Sequence, residues 1–237
     1  MAGASPDQAA LSLLECGEAE VQGRMPWSSN ATFLATITDG ARTCQAVYKP
    51  GRGERPLWDF PHGLYRRELA AYRLSEALGW GLVPPTVIRD GPLGEGSFQL
   101  FIEADFEQHY FTLHEARPDL HAQLRTMCAF DIVANNTDRK SGHVLLGPGD
   151  RIWGVDQGLC FSADFKLRTV IWEFGGEPVP EGLLHGIERL ATSVPLDLAA
   201  LLDDEEVDAL QHRARLLTRN AKFPVDTSGR RYPWPVV

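Results

Sequence analysis

Three ionisable side chains in the second half of the chain have the types and spacing of a catalytic site. Asp138 and His143 are five residues apart, and Asp156 follows Asp138 by eighteen residues and opens an Asp-Gln-Gly triplet. Polar residues at the ends of short apolar segments commonly converge on a site. Phosphoryl transfer needs an orienting carboxylate, oxygen or nitrogen ligands for Mg²⁺ and a fixed cation on the phosphates. These residues could supply the carboxylate and the metal ligands.

A cation suited to the phosphates lies earlier in the chain. Lys49 ends a predicted strand, and Glu68 follows it by nineteen residues, within a predicted helix at residues 64–78. At helical spacing Glu68 falls in the apolar face, where an unpaired carboxylate is costly. We therefore expect Glu68 to meet a cation, with Lys49 as the preferred partner and Arg55 or Arg67 as alternatives.

A sheet in the first half of the chain must position Lys49. Alternating apolar and polar residues predict five strands, at residues 18–24, 32–37, 43–49, 86–90 and 97–103. The pair Asp39-Gly40, between the second and third of these strands, is a strong hairpin signal.

Helices predominate in the second half of the chain. Helices and two short strands are predicted at residues 119–134, 144–146, 152–155, 183–190 and 203–219. Asp119 is the expected N-cap of the first helix, directly after a proline. The chain is therefore predicted to be an α+β protein, with an N-terminal tail (residues 1–17), a sheet-rich lobe with one helix (18–103) and a helical lobe (104–237).

The composition narrows the classes of partner. The 237 residues carry a formal net charge of −9, and 43% of them are hydrophobic, which is enough for a core. An acidic chain gives no support to nucleic-acid binding and is poorly suited to stable association with an anionic membrane. No apolar segment reaches the length of a membrane span, and the first residues lack a signal-peptide pattern. We expect a cytoplasmic protein.

Two other sets of residues could be mistaken for metal ligands. The four cysteines are scattered among apolar residues and are expected to be buried free thiols: Cys16, Cys44, Cys128 and Cys160. Three histidines miss the i, i+4 spacing that places two ligands on one helix face, so we expect them to be scattered over the surface: His109, His114 and His121.

The catalytic spacings resemble those of the protein-kinase-like superfamily, in particular its phosphatidylinositol 3-/4-kinase-like and HipA-like branches. In that family a loop reads Asp-Arg-His-x-x-Asn, and a later Asp opens a metal-binding Asp-x-Gly. Asp138 matches the catalytic Asp, and Arg139 matches the Arg after it. His143 stands at the position of the metal-binding Asn, and Asp156 matches the metal-binding Asp. The chain is identified as most similar to the actinobacterial phosphatidylinositol-kinase-like group.

The resemblance implies a two-lobed protein-kinase-like fold, with a small antiparallel sheet lobe and a mostly helical lobe. It also implies an atypical kinase that uses ATP with Mg²⁺ or Mn²⁺. Lys49, paired with Glu68, would contact the α- and β-phosphates. Asp138, with Arg139 beside it in the catalytic loop, would accept the proton of an acceptor hydroxyl on a protein or a small molecule.

The resemblance further implies where the rest of the nucleotide would bind. A loop without the usual glycines would close over the phosphates through Ser28, Ser29 and Asn30. Backbone groups around Phe101 and Glu103 would pair with the edge of the adenine.

The histidine at position 143 departs from the family pattern. Mg²⁺ prefers oxygen ligands, so His143 favours Mn²⁺ or the loss of one metal ion. One alternative is therefore a pseudokinase-type nucleotide-binding module without turnover. Another is a metal-dependent phosphohydrolase built from Asp138, His143 and Asp156, although it leaves Lys49 and Glu68 without a role.

Overall fold

The computed structural model describes residues 6–26 and 30–237, and the first half contains a five-stranded antiparallel sheet. The strands are β1 (Glu18–Arg24), β2 (Phe33–Thr38), β3 (Thr43–Pro50), β4 (Thr86–Gly91) and β5 (Gly94–Leu100). Their order across the sheet is β1-β2-β3-β5-β4. Lys49 lies on β3, the middle strand of the sheet, and is paired with Ser97 of β5.

The predicted Asp39-Gly40 turn joins β2 and β3. Gly40 has a φ of 87°, which glycine adopts without the steric penalty of a side chain. Asp39 Oδ1 accepts the backbone N–H groups of Arg42 at 2.7 Å and Ala41 at 3.0 Å. These hydrogen bonds, above all the one from Arg42, lower the pKa of the Asp39 carboxyl to about 2. The turn is therefore determined by local chemistry.

Strand β5 corrects the predicted position of its segment. It begins at Gly94 and ends at Leu100, three residues earlier at each end than the predicted 97–103. The apolar pattern continues beyond Leu100 because Ile102 is buried in a small cluster with Leu145 and Trp153, where the chain leaves the sheet for the helical lobe. The buried Ile102 therefore extends the alternation of apolar and polar residues past the end of the strand, which is why the sequence predicted a strand there.

The predicted N-terminal tail, residues 1–17, contains a helix that was not predicted from the sequence. Helix α1 (Pro6–Cys16) buries Leu13 and Leu14 against one face of the sheet. Their neighbours there include Tyr48 and Phe98, whose rings stack with their centroids 4.1 Å apart. At eleven residues α1 is too short for a clear helical period to stand out in the sequence, and the sheet supplies the surface that its leucines cover.

Helix α2 (Leu64–Ala77) carries Glu68 and connects β3 to β4 in the chain. Its N-cap residue, Gly63, has no side chain to accept the free N–H groups of the first turn. Glu54, from the preceding loop, replaces it: its carboxylate accepts the N–H groups of Gly63 and Tyr65, each at 2.8 Å. A distant residue thus determines where α2 begins.

The second half of the chain is mostly helical and contains the larger core. Its helices are α3 (Tyr110–Ala116), α4 (His121–Ala134), α5 (Glu181–Thr192), α6 (Leu196–Ala199) and α7 (Asp204–Asn220). An antiparallel hairpin, β6 (Val144–Gly147) and β7 (Arg151–Gly154), lies between α4 and α5 in the chain. No helix among the described residues combines the length and apolarity needed to cross a membrane.

The prediction that Asp119 caps the helix at residues 119–134, which corresponds to α4, was wrong. Residues Pro118–Leu120 form a separate 3₁₀ turn, and α4 begins at His121 without a side-chain cap. The Asp119 carboxylate instead pairs with Arg117, whose Nη2 lies 2.7 Å from Asp119 Oδ2.

The burial predicted for the four cysteines and the separation predicted for the histidines are each only partly observed. Cys128 and Cys160 are buried as predicted, whereas Cys16 is exposed and Cys44 is partly exposed. The side chains of His114 and His121 are not separate, since their rings stack with centroids 4.5 Å apart beside Phe174.

Candidate active site

Lys49 lies where the two lobes meet and pairs with carboxylates from both. Its Nζ donates to Oε1 of Glu68, which lies on α2. It also donates, at 2.8 Å, to Oδ1 of Asp156, the second residue after β7. Burial alone would lower the pKa of Lys49, but the negative charges of Asp156 and Glu68 outweigh it and raise that pKa above its ordinary value. Lys49 therefore carries a fixed positive charge at neutral pH.

The predicted pairing of Glu68 with Lys49 is confirmed against both alternatives. Arg67 pairs with Glu206 of α7 and donates to the backbone oxygen of Cys160 at 2.7 Å. Among the described residues Arg55 forms no ion pair with Glu68, whose ion-pair partner is Lys49. Glu68 is 2% exposed, so Lys49 provides the positive charge that a buried carboxylate requires.

Asp156 occupies an unusual backbone conformation at the end of β7. Its φ is 59°, in the left-handed region that non-glycine residues rarely adopt. The residues that do adopt this conformation are often found at functional sites. The next residue, Gln157, is held by its backbone N–H, which donates to Glu68 Oε2 at 3.0 Å. The Asp156 carboxylate thereby faces Lys49, whose positive charge holds the pKa of Asp156 well below its usual range.

Asp138 lies in the segment that follows α4. The backbone of Asn135 is left-handed (φ 53°) and ends that helix, and Asn136 Oδ1 accepts the backbone N–H of Asp138 at 2.9 Å. Burial raises the pKa of the Asp138 carboxyl; nearby Lys140 opposes this effect and Asp156 adds to it. Asp138 is thus a carboxylate of raised basicity that faces the same cleft as Lys49 and Asp156.

The position of Arg139 does not fit the catalytic role predicted for it. Its side chain is completely buried and pairs with Asp131, with Nε 3.0 Å from Oδ1 and 3.1 Å from Oδ2. It also donates to Gln157 Oε1 at 2.9 Å and to the backbone oxygen of Val155 at 3.0 Å. A group without solvent access cannot contact a substrate, so in this structure Arg139 positions the segments on either side of it.

His143 lies beside Asp156, with its Nε2 3.6 Å from Asp156 Oδ2. Its Nδ1 accepts the backbone N–H of Lys140 at 3.4 Å. Burial lowers the pKa of His143 to about 4, although the charge of Asp156 opposes this effect. The imidazole is therefore neutral at physiological pH.

The donor set suits a metal ion that arrives with phosphate. Among the described residues, no three His, Cys, Asp or Glu side chains are grouped to hold a metal by themselves. Asp156 and His143 provide two adjacent protein donors, and Mg²⁺ is commonly held by one or two carboxylates together with substrate phosphates and water. These two residues therefore fit a metal–nucleotide complex better than a metal centre made of protein alone.

A cleft of about 290 Å³ lies between the lobes, and Arg139 and His143 are not among the residues that line it. Asn30, Lys49 and Glu68 line it from the sheet-rich lobe, and Asp138 and Asp156 line it from the helical lobe. Cavities that hold small molecules begin at about this size. The structure thus brings five of the predicted residues into one space.

Phe101 and Glu103, predicted to lie beside the adenine, are placed outside this cleft. The backbone N–H of Phe101 already donates to the Gln45 oxygen at 2.9 Å, and Glu103 is exposed on the connection between the lobes. Neither of them lines the 290 Å³ cleft. Ser28 and Ser29 lie outside the described residues.

Gln157 is a site residue that the sequence prediction missed. It is fully buried, and its Oε1 accepts from Arg139 Nη2 at 2.9 Å and from Asn136 Nδ2 at 3.3 Å. It thereby joins the segment of Asp138 to that of Asp156. The signal was its position in the middle of the Asp-Gln-Gly triplet, directly after an apolar strand.

Comparison with known proteins identifies one sequence relative and a shared fold. No protein-family model matches the chain. Protein Rv2133c of Mycobacterium tuberculosis is 40% identical over 260 aligned positions, which cover 94% of each chain. The structure of hydra Fam20 with sugar has a TM-score of 0.58 at 13% identity, covering 92% of this chain and 89% of that one. The Helicobacter pylori proinflammatory kinase CtkA has a TM-score of 0.50 at 9% identity, covering 87% and 93%.

At these identities the structural likeness shows the fold alone. The chain has a kinase-like fold of mixed helices and antiparallel sheet, as the sequence predicted.

Proposed function

This chain belongs to the same protein family as Rv2133c of Mycobacterium tuberculosis, and we propose that it is an atypical kinase that uses ATP and a divalent metal ion. The kinase-like fold, shared with a protein described as a kinase, supports phosphotransfer as the class of reaction. The observation that carries the proposal is the contact of Lys49 with both Glu68 and Asp156. It gathers a fixed cation and a metal-binding carboxylate at one point between the lobes.

In the proposed reaction Lys49 binds the α- and β-phosphates of ATP. Its positive charge is secured by two carboxylates, so it remains a cation when the phosphates approach. Asp138 accepts the proton of the acceptor hydroxyl as that oxygen bonds to the γ-phosphorus and the bond to ADP breaks. Burial raises the pKa of Asp138, which makes it a stronger base than an exposed aspartate.

Asp156 and His143 are the residues that would hold the metal ion. When bound, the ion neutralises charge on the β- and γ-phosphates. Asp156 is ionised because Lys49 lowers its pKa, so its carboxylate can donate an electron pair at neutral pH. His143 is neutral and would ligate the ion through Nε2 in the tautomer that carries its proton on Nδ1, which gives up the 3.4 Å contact between Nδ1 and the Lys140 N–H. A mixed oxygen and nitrogen pair suits Mn²⁺ at least as well as Mg²⁺.

Within the kinase-like fold we assign the chain to the phosphatidylinositol 3-/4-kinase-like and HipA-like branch. The Asp-Arg pair at 138 and 139, the later Asp156 and the loop without usual glycines support this assignment. The proposed acceptor is a hydroxyl of a protein or a small molecule rather than an inositol lipid, because the net charge of −9 disfavours an anionic membrane.

The proposal is tested by ADP formation from ATP with Mg²⁺ or Mn²⁺, in the presence of sugars, inositol and a peptide mixture as acceptors. We expect Asp138→Asn to lower the rate about 100-fold or more, as loss of a general base does. Asp164→Asn is the matched control, since it removes a carboxylate of the same lobe that is 86% exposed and lies outside the cleft. Equal rates for the two variants would contradict the role of Asp138.

A nucleotide-binding module without turnover is the second candidate, and His143 favours it. The neutral imidazole replaces an oxygen ligand and adds no negative charge to the metal site. This candidate predicts that ATP with Mn²⁺ stabilises the wild-type protein while ADP formation stays at the level of Asp138→Asn.

A further inference from the structure

A second cavity, of about 300 Å³, lies in the helical lobe beside α7. It shares no lining residue with the cleft of Lys49 and Asp156. Ala209, Arg213, Leu216 and Asn220 line it from α7 at three- or four-residue intervals, so they form one face of that helix. Phe165 lines it from the segment that follows Asp156.

We propose that this cavity binds a small anionic amphiphile, a carboxylate with an apolar tail. The apolar part of its lining includes Ile132, Leu216, Leu217 and Pro224. Phe165 and Leu216 are 54% and 43% exposed, an arrangement that leaves apolar surface in contact with water when the cavity is empty. An apolar tail would remove that surface from water, at roughly 25 cal/mol per Å² buried.

The head group is inferred from the charges around the cavity. Arg213 and Lys222 give its lining two positive charges and His212 adds an imidazole, whereas the described lining contains no Asp or Glu. This distribution stands out in a chain whose net charge is −9. A basic lining on an acidic protein favours an anion over a neutral or cationic ligand.

Arg213 gives the strongest indication of a missing anion. It is 7% exposed, and its guanidinium donates only to backbone oxygens, from Nε to Val133 at 2.8 Å and from Nη1 to Ser162 at 3.2 Å. Its Nη2 is buried and has no hydrogen-bond partner among the described residues. Buried arginines are normally paired with a carboxylate, and the nearby Glu206 pairs with Arg67 instead. Because Nη2 has no solvent access, a ligand carboxylate in the cavity would not bond to it but would lie near the guanidinium and compensate its charge.

Decanoate and decanol test the proposal, because they share an apolar tail and differ in the charged head. Below the micelle concentration of decanoate, we expect it to raise the melting temperature of the full-length protein and to bind by calorimetry at least about tenfold more tightly than decanol. Comparable affinities for the two compounds, or no binding of decanoate, would overturn the proposal.

Two substitutions locate the binding. Ala209→Phe fills the cavity from the partly exposed face of α7 and should abolish decanoate binding. Lys222→Gln removes an exposed charge that is not needed for folding and should weaken decanoate about threefold. If Ala209→Phe fails to fold, the Lys222 variant still decides the question, since unchanged affinity contradicts an anion site here. ATP-dependent stabilisation of both variants should remain, so this test is independent of the proposed kinase activity.

Discussion

At the scale of single residues, Lys49 connects the chemistry of the site to its stability. It compensates the charge of Glu68, which is 2% exposed, and it forms an ion pair with Asp156 of the helical lobe. In the proposed reaction the same ammonium must contact phosphate. A lysine that compensates two carboxylates is already ordered before the nucleotide arrives, which lowers the entropic penalty of binding.

The first prediction concerns that charge balance. Lys49→Met should destabilise the protein by about 3 kcal/mol, because it leaves a buried carboxylate without its partner. Adding Glu68→Gln to this variant should recover most of the loss, since the remaining group is no longer charged. Urea denaturation measures both effects.

Arg117→Met is the matched control for Lys49→Met. It breaks ion pairs with Asp119 and Asp150, whose carboxylates are 60% and 64% exposed, so a loss of only about 0–1 kcal/mol per pair is expected. A Lys49 variant as stable as this control would mean that Glu68 tolerates burial without Lys49.

At the scale of elements, two devices hold the site in place. The buried pair of Arg139 and Asp131 ties the segment after α4 to the segment after β7, through Gln157 and the backbone of Val155. Asp131 also accepts from Thr169 Oγ1 at 2.9 Å. A buried polar network of this kind favours one arrangement of the loops over others, and Nε2 of Gln157 is its one buried side-chain polar atom without a hydrogen-bond partner among the described residues.

Helix α1 is the second device and carries the second prediction. Leu14 is fully buried against the sheet that holds Lys49, so Leu14→Ala should reduce the free energy of unfolding by about 2–5 kcal/mol. Glu15→Ala is the control, because Glu15 is an exposed neighbour on the same helix. Thermal or urea unfolding that fails to separate the two variants would show that α1 adds nothing to the packing of the sheet.

At the scale of the whole molecule, the cleft requires both lobes in their observed arrangement. Besides the Lys49 contacts, Arg67 of α2 pairs with Glu206 of α7, which joins the lobes on the side of α2 that faces the core. A ligand that binds residues of both lobes should therefore stabilise the entire chain against unfolding.

The third prediction follows from this coupling. ATP with Mn²⁺ at 100 times its dissociation constant should stabilise the wild-type protein by about 2.7 kcal/mol. Lys49→Ala and Asp156→Ala, one from each lobe, should both reduce the shift in melting temperature, whereas Asp164→Asn should retain it. If Lys49→Ala and Asp156→Ala respond to the nucleotide like the wild type and the Asp164→Asn control, the nucleotide binds outside this cleft.

Much of the local structure follows from the sequence alone. The hairpin at Asp39-Gly40 forms because a glycine at positive φ and an aspartate that accepts two backbone N–H groups are adjacent in the chain. The partner of Glu68 was predictable because a carboxylate on an apolar helix face needs a cation. Helix α1 was not predicted, and the cap assigned to Asp119 was wrong, because a neighbouring surface or turn, rather than the segment itself, decides those elements.

The sequence by itself determined which side chains could do the chemistry and most of the strands and helices that carry them, since both depend on residue type and short-range spacing. Only the tertiary structure decided that Lys49 meets Asp156, 107 residues later, that Arg139 is buried, and that a basic cavity lies beside α7. These features depend on how two lobes and their loops pack together. Packing between distant segments leaves no periodic signal in the chain, so local patterns do not predict it.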